Sequence, residues 1–384
     1  MPSADRIPRN PKLVPADAPS GAGYMDELAD AARAAGLEHF GAAPAAPLLR
    51  ARAEMARRVA AGLVGDMRFT YNNIERATDP GALVQEARTV LVGAMSYDLV
   101  ANDPPPDGPA ARVARYAWLD HYAELKRRLT VVAGRLRSDG HRAVVFADDN
   151  SIVDREVASL AGIGWHGKNA NILVPGAGSF FVLGCIVTTA DVPVAAPVAD
   201  GCGTCDRCIP ACPTGAIPAP GVIDANRCLS WLLQKPGVFP REHRAALADR
   251  IYGCDDCQTA CPFTRRRPPA ETALATESSV DVLALLAADD REVMRRCDRW
   301  WVHERDATWV RRNLLVVLGN TADPADPRVA GALASALADA RPVLRAHAVW
   351  AAARLGLHHL LPSSDPDPLV ADELAHLPPL REST

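Results

Sequence analysis

Eight of the ten cysteines in this 384-residue chain fall between positions 202 and 261. Cys202, Cys205, Cys208 and Cys212 follow C-x2-C-x2-C-x3-C-P spacing, in which three close thiolates wrap one iron–sulfur cubane and the fourth reaches a second. Zinc sites favour two C-x2-C pairs split by a longer loop. A second run, Cys254-x2-Cys257-x3-Cys261-Pro262, lacks its leading cysteine, and Ile251 stands there. Two cubanes require eight thiolates. Cys261 therefore joins Cys202, Cys205 and Cys208, and Cys212 joins Cys254 and Cys257, which leaves the second cluster one ligand short. Cys185 lies in an apolar run and reads as a buried thiol. Cys297 lies in an Arg-rich segment beyond the module. Cys228, in "DANRCLSWLL", is the best remaining candidate for the eighth ligand. Paired cubanes pass single electrons at low potential, so any substrate chemistry needs an acceptor.

The element Gly162-Ile163-Gly164-Trp165-His166-Gly167 matches G-x-G-x-x-G. A dinucleotide fold needs a strand before it and a helix after it, and the flanking patterns here run the other way. The glycines instead suggest close backbone approach to something large and flat.

Several elements must position these residues. Residues 24–35 read as an amphipathic helix stopped by Gly36, 89–95 as a buried strand, 115–140 as a helix, 141–149 as a strand entering an acidic loop, 153–162 as a helix, and 179–189 as another strand. The alternation implies an α/β domain. A Pro/Ala linker, 191–200, leads to the cysteine-rich stretch, too small for an ordinary core and suited to being held by metal centres. Beyond 269 the chain reads as helical. Leu318-Gly319 and Leu355-Gly356, 37 residues apart, fit helical-hairpin repeats of the HEAT type. The end of the chain, from 363, reads as a tail, as do residues 1–22.

Net charge is −4, which gives no global attraction for nucleic acid. Residues 291–312 are the exception: Arg291, Arg295, Arg296, Arg299, Arg305, Arg311 and Arg312 face four carboxylates, leaving +3 locally. With Arg265, Arg266 and Arg267 nearby, this stretch is the candidate phosphate-neutralising surface. Trp300, Trp301 and Trp309 read as repeat core. No membrane span is apparent, and a cytoplasmic setting, where thiols stay reduced, suits cysteines that act as ligands.

Taken together, "DDNSIVDREVASLAGIGWHGKNANILVPGAGSFFVLGCIVTT", "CGTCDRCIPACPTGAI", "RCLSWL" and "YGCDDCQTACPF" resemble the epoxyqueuosine reductase family over about residues 24–356. The resemblance implies an α/β cobalamin-binding domain (23–198), a bacterial-ferredoxin-like module with two 4Fe-4S clusters (199–268) and C-terminal α-helical HEAT-like repeats with a tail and tRNA contact (269–384). It implies reduction of epoxyqueuosine to queuosine at wobble position 34 of tRNA, by cob(I)alamin fed from the two clusters. The family takes its eighth cluster ligand from a Cys-x-Ser motif, matching Cys228 and Ser230.

The resemblance assigns the proton donor to Asp148, at the start of the acidic loop. Cofactor contacts are expected at Asp148, Val153, Trp165, Lys168, Asn169 and Ser179, with Arg76 and Ser230 as further ones. Asp255 and Asp256, between two ligands of the second cluster, are expected beside the macrocycle. Two departures stand out. The family loop reads Asp-[Ser/Thr]-x-Pro where this chain has Asp148-Asp149-Asn150-Ser151, and Ala123 replaces a family histidine, so His121 receives no role. The implied partners are a tRNA of GUN-anticodon type and an external low-potential electron donor, with the enzyme a monomer off the membrane. Rival readings are a corrinoid reductive dehalogenase, which usually carries an export signal, and an electron-carrying ferredoxin, which needs no α/β domain.

Overall fold

The computed structural model describes residues 18–381. Its strands, among the described residues, are β1 (His39–Pro44), β2 (Thr89–Ser96), β3 (Ala110–Val113), β4 (Ala143–Ala147), β5 (Trp165–His166), β6 (Ile172–Leu173), β7 (Phe181–Thr188), β8 (Arg250–Tyr252) and β9 (Ser279–Asp281). The main sheet has the order β1-β2-β7-β4, and every pairing in it is antiparallel.

The run Thr89–Met95 is apolar because both its faces are covered, the case in which alternation disappears. Leu91, Val182 and Ile186 meet Leu28, Leu125 and Leu129 from the helices Gly21–Ala34 and His121–Ser138. Val92, Cys185 and Val187 meet Val157 and Ala158 from the helix Asp154–Leu160 on the other side. Cys185 is thus a core thiol. The loop after β4 and the strand after Ser179 both open at one end of this three-layer body.

Some boundaries differ from the sequence reading. The first helix begins at Gly21, whose N–H donates to Asp191 O at 2.9 Å, and a His141 ring nitrogen bonds Pro19 O at 2.8 Å. Residues 19–22 of the expected tail are therefore tied to the body, while residues 1–17 lie outside the described residues. The helix expected over 115–140 starts at His121, because the Asp120 carboxylate accepts the Ala123 N–H and caps it there.

The glycines of the G-x-G element serve the chain itself. A Cβ on Gly164 would lie 2.2 Å from Leu173 O, so this glycine permits the β5–β6 pairing. Gly178, at φ +80, approaches Thr264 so closely that a Cβ would lie 2.3 Å from its Cα. That approach seats the segment before Ser179 on the residues following Cys261.

The region after 269 is not wholly helical. β9 joins a second sheet of order β8-β3-β9, which takes one strand from each third of the chain. The core beneath it runs from Val113 through Leu232 and Ile251 to Val282 and Leu314. The two Leu-Gly pairs are not equivalent. Gly319 lies within the helix Ala307–Thr321 and lets it approach Trp350, whereas Gly356 ends the helix Pro342–Arg354 at φ +76.

The expected C-terminal tail contains the helix Pro368–Ala375. Arg244 is fully buried, and a lone buried cation is costly. Glu373, also buried, accepts from its Nη1 at 2.9 Å and its Nη2 at 3.2 Å. This demand for a counter-charge fixes the last helix in place. Glu373→Ala is expected to destabilise the folded chain by about 3–5 kcal/mol, read as a lower midpoint in denaturant, with Glu373→Gln recovering part of the loss.

Candidate functional site

The eight clustered thiols sort into two groups. Cys202, Cys205, Cys208 and Cys261 line one cavity with Lys168 and Phe263. Burial, then the charges of Cys261, Cys202 and Cys205, raises the Cys208 thiol. The other group is Cys212, Cys228, Cys254 and Cys257. Burial pushes the Cys257 thiol up, followed by the charges of Cys254, Cys228 and Cys212. Cys208 also acts on Cys257, so the groups adjoin. Among the described residues, no three of His, Cys, Asp or Glu converge as ligands of one metal ion. Four thiols spread around a shared space suit a cubane, which takes one cysteine at each iron.

Backbone and ring N–H groups point at these sulfurs. The Ala216 N–H donates to Cys212 Sγ at 3.1 Å and Trp165 Nε1 to Cys202 Sγ at 3.4 Å. Cys228 is the N-cap of the four-residue helix Leu229–Leu232; burial raises its thiol, and the nearby Ser230 and Trp231 N–H groups lower it. Such donors stabilise the thiolate and raise a cluster's potential. Cys185 and Cys297 are buried apart from both groups, in the main-sheet core and in the core of the helical region.

The helix carrying Cys228 is held from the C-terminal region. Arg312 is fully buried. Its guanidinium donates to Leu232 O at 3.0 Å, Lys235 O at 2.8 Å and Gly237 O at 2.8 Å. Asn313 Nδ2 donates to Leu233 O at 2.8 Å. Burial, then Arg244, pulls the Arg312 pKa down to about 9. Four backbone acceptors and Asn313 take the place of a carboxylate.

Asp148 follows β4 at φ +53, a left-handed conformation that Asp tolerates better than most residues. No hydrogen bond engages its carboxylate among the described residues. Its neighbour Asp149 does the local work, accepting the Ser151 N–H at 2.8 Å, and the following helix is capped by neither. The Asp148 side chain is exposed at the open end of the sheet. The surrounding segments still strip it of part of its water, which raises its pKa, and the negative charges of Asp154, Asp149 and Asp120 raise it further. Tyr122 and Tyr252 lie close enough to feel its charge. Tyr252 stands two residues before Cys254, so the acid lies in the neighbourhood of the second thiol group.

The remaining expected contacts divide in two. Trp165, Lys168 and Asn169 face the cluster module. The Trp165 ring meets Phe263 edge-on at 5.2 Å, Lys168 Nζ donates to Gly203 O at 2.8 Å, and Asn169 Nδ2 donates to Cys257 O at 3.3 Å. Buried Ser179 is held by Gln258, whose Nε2 donates to Ser179 O at 2.9 Å and to the Tyr97 hydroxyl at 3.0 Å. Val153 donates its N–H to Ala77 O at 3.2 Å, next to exposed Arg76. Asp256 pairs with Arg250. Asp255 Oδ2 accepts the Arg115 N–H at 2.7 Å, while its buried Oδ1 has no partner. Burial lifts the Asp255 carboxyl to about 6. That orphan acceptor fits the side-chain amides at the rim of a corrin.

Sequence reading missed Arg115, Gln258, Tyr122 and Tyr252. Arg115 also donates to Asp98 Oδ1 at 3.1 Å and lies over the Trp118 and Phe180 rings. The Arg-Tyr-Ala tripeptide was a signal for Arg115. The other three carry none beyond their nearness to the cysteines and the acidic loop.

The proposed cationic stretch is largely spent internally. Arg311 and Arg312 are buried. Arg305 donates to the carbonyls of Met294 and Trp300, at 2.9 and 3.1 Å. Arg295 and Arg296 pair with Glu292, and Arg299 with Glu277. Turn carbonyls and local carboxylates thus engage six of the seven arginines of 291–312, and Glu38 engages Arg267, while Arg291, Arg265 and Arg266 are exposed and pair with no carboxylate among the described residues. Of the three tryptophans assigned to the core, Trp300 is buried, stacked 4.7 Å from Tyr252. Trp301 is 43% exposed.

Two family models match the chain: the 4Fe-4S double cluster binding domain over residues 201–264, and "Epoxyqueuosine reductase QueG, DUF1730" over residues 77–149. The epoxyqueuosine reductase of Xanthomonas campestris pv. campestris is 36% identical over 317 residues, covering 78% of this chain and 87% of the relative. That of Bacillus subtilis is 31% identical over 320 residues, covering 80% and 79%. An epoxyqueuosine reductase solved with an epoxyqueuosine-modified tRNA-Tyr stem loop superposes at TM-score 0.82 with 26% identity, covering 92% of this chain and 97% of that one. A Bacillus subtilis structure with its catalytic aspartate loop swung out of the active site gives TM-score 0.80 at 26% identity and the same coverage.

Two substitutions test the grouping of the thiols. Cys228→Ala is expected to lower bound iron below about eight per chain and to alter the EPR signal of one cluster only; Cys297→Ala keeps both. Arg312→Met, which cannot hold the turn carbonyls, is expected to cost the same cluster, with iron approaching about four per chain.

Proposed function

The chain belongs to the epoxyqueuosine reductase family, and from that premise we propose that Asp148 delivers a proton to the departing epoxide oxygen. The enzyme is an oxidoreductase that reduces epoxyqueuosine to queuosine. It uses two 4Fe-4S clusters and cobalamin. The reaction takes two electrons and two protons: the epoxide oxygen leaves as water and a carbon–carbon double bond remains. When bound, cobalamin supplies a low-potential cobalt centre able to attack or reduce the strained C–O bond.

The chain's own residues do the rest. Cys202, Cys205, Cys208 and Cys261 hold the outer cluster in this reading. Cys212, Cys228, Cys254 and Cys257 hold the inner one, next to the Asp148 end of the sheet. Asp255 offers its free Oδ1 to a corrin amide, and Arg76, Val153, Ser179, Ser230 and Asp256 frame the same space. Trp165, Lys168 and Asn169 brace the turn between that space and the outer cluster.

One observation carries the proton-donor reading. The Asp148 carboxyl has no hydrogen-bonded duty in the fold, and its surroundings favour the protonated form. A carboxylic acid must keep its proton near neutral pH to protonate a leaving alkoxide, and desolvation with like charges nearby serves that need.

The substrate in this reading is a tRNA of GUN-anticodon type, supported by the relative bound to a modified tRNA-Tyr stem loop. The enzyme acts as a cytoplasmic monomer supplied by an external low-potential donor. Among the described residues no helix is long and apolar enough to cross a membrane.

Asp148→Asn is expected to retain both clusters and cobalamin yet lower the single-turnover rate at least ~100-fold. Full activity in that variant removes Asp148 from the acid role. The acid form is the active one, so the wild-type rate should hold until pH approaches the raised Asp148 pKa and fall above it. Asp154→Asn removes a neighbouring negative charge, lowers that pKa, and should move the fall to lower pH. A pH–rate profile of single turnovers checks both.

A further inference from the structure

An exposed group of aromatic rings stands at the rim of the site without a role in the core. Phe69 and Trp301 are 45% and 43% exposed. Their centroids are 5.4 Å apart and their planes tilt by 40°. Trp231, itself buried, backs both at 5.7 and 6.1 Å. The three rings come from three distant segments, so the notch between them exists only in the folded chain.

Two hydrogen bonds tie this group to the catalytic end. Thr70, next to Phe69, donates its hydroxyl to Asn150 Oδ1 at 3.3 Å, in the loop that carries Asp148. The Trp301 N–H donates to the Tyr252 hydroxyl at 2.7 Å, and Tyr252 senses the Asp148 charge. These bonds place the rings against the segments that carry Asp148 and Cys254. Arg68 and Arg76, on either side of Phe69 in the sequence, are both exposed, and no carboxylate pairs with either among the described residues. In the 291–312 stretch, by contrast, every arginine but Arg291 is buried or engaged by a carbonyl or carboxylate.

We infer that Phe69 and Trp301, backed by Trp231, form a stacking step for an unpaired base next to the reacting nucleotide of the anticodon loop. The inference rests on the tRNA reading above. Flat exposed aromatics beside unpaired arginines match the chemistry of a single-stranded nucleic acid, in which base faces stack and phosphates need cations. A reacting base can reach a recessed centre only if its neighbours are held at the mouth. Every base has a π face, so such a step positions the loop without demanding one sequence.

The test uses the full-length holoenzyme and epoxyqueuosine stem loops, intact or abasic at the nucleotide on either side of the reacting one. For Phe69→Ala combined with Trp301→Ala, KM for the intact stem loop is expected to rise roughly 10-fold, with kcat held within about two-fold. Trp301→Tyr, which keeps a ring, should restore most of the affinity. An abasic flank on one side should cost the wild type a similar factor and cost the double variant nothing more, the signature of one shared contact. Unchanged KM in the variants overturns the inference, as does an equal loss on intact and both abasic stem loops. Loss of cobalamin from the variants also overturns it, assigning the rings to the cofactor. A wild type inert on any stem loop fails the tRNA reading itself, whereas an active wild type with indifferent variants fails only the stacking step.

Discussion

A buried guanidinium with no carboxylate facing it organises this molecule. Arg312 spends its donors on the carbonyls of residues 232–237 and on Asn313. Those carbonyls end the short helix whose N-cap is Cys228. A four-residue helix has little stability of its own, and here its C-terminal end is anchored by a cation from another region while its N-terminal end carries Cys228 as its N-cap. The cationic anchor also suits the negative end of the helix. The helical region is thus part of the scaffold of the second thiol group as well as a neighbour to it.

The same interlocking recurs throughout. The second sheet takes β3, β8 and β9 from the three successive parts of the chain. Cys212 and Cys261 each leave the run they belong to and join the other group. Gly178 brings the end of the main sheet against Thr264, and Gln258 bonds Ser179 across that seam. The acid, the thiols and the segments expected to hold the corrin are therefore joined to one another by direct contacts. An electron relay benefits from this, since it depends on fixed separations between centres.

Charge is distributed by the same logic. The chain places its cations where carbonyls and buried carboxylates need them, at Arg244, Arg305, Arg311 and Arg312. Around Asp148 it gathers carboxylates instead, and loss of water together with their charges raises the Asp148 pKa. Arg68 and Arg76 are exposed, and no carboxylate among the described residues pairs with either.

The cysteine spacing by itself pointed to two cubanes whose ligands cross between the two runs and left Cys228 as the best candidate for the last ligand, because ligand number and reach are covalent constraints. Periodicity likewise placed the strands 89–95 and 179–189 and the helix after Asp148, since burial on both faces leaves a continuous apolar run. The tertiary structure alone decided which arginines are surface charge and which are clamps. A guanidinium's role depends on the carbonyls around it, and those come from residues up to 80 positions away. It also decided that Trp300 is core while Trp301 is exposed. Adjacent residues on a turn point in different directions, and no local pattern in the sequence records which of them meets the solvent.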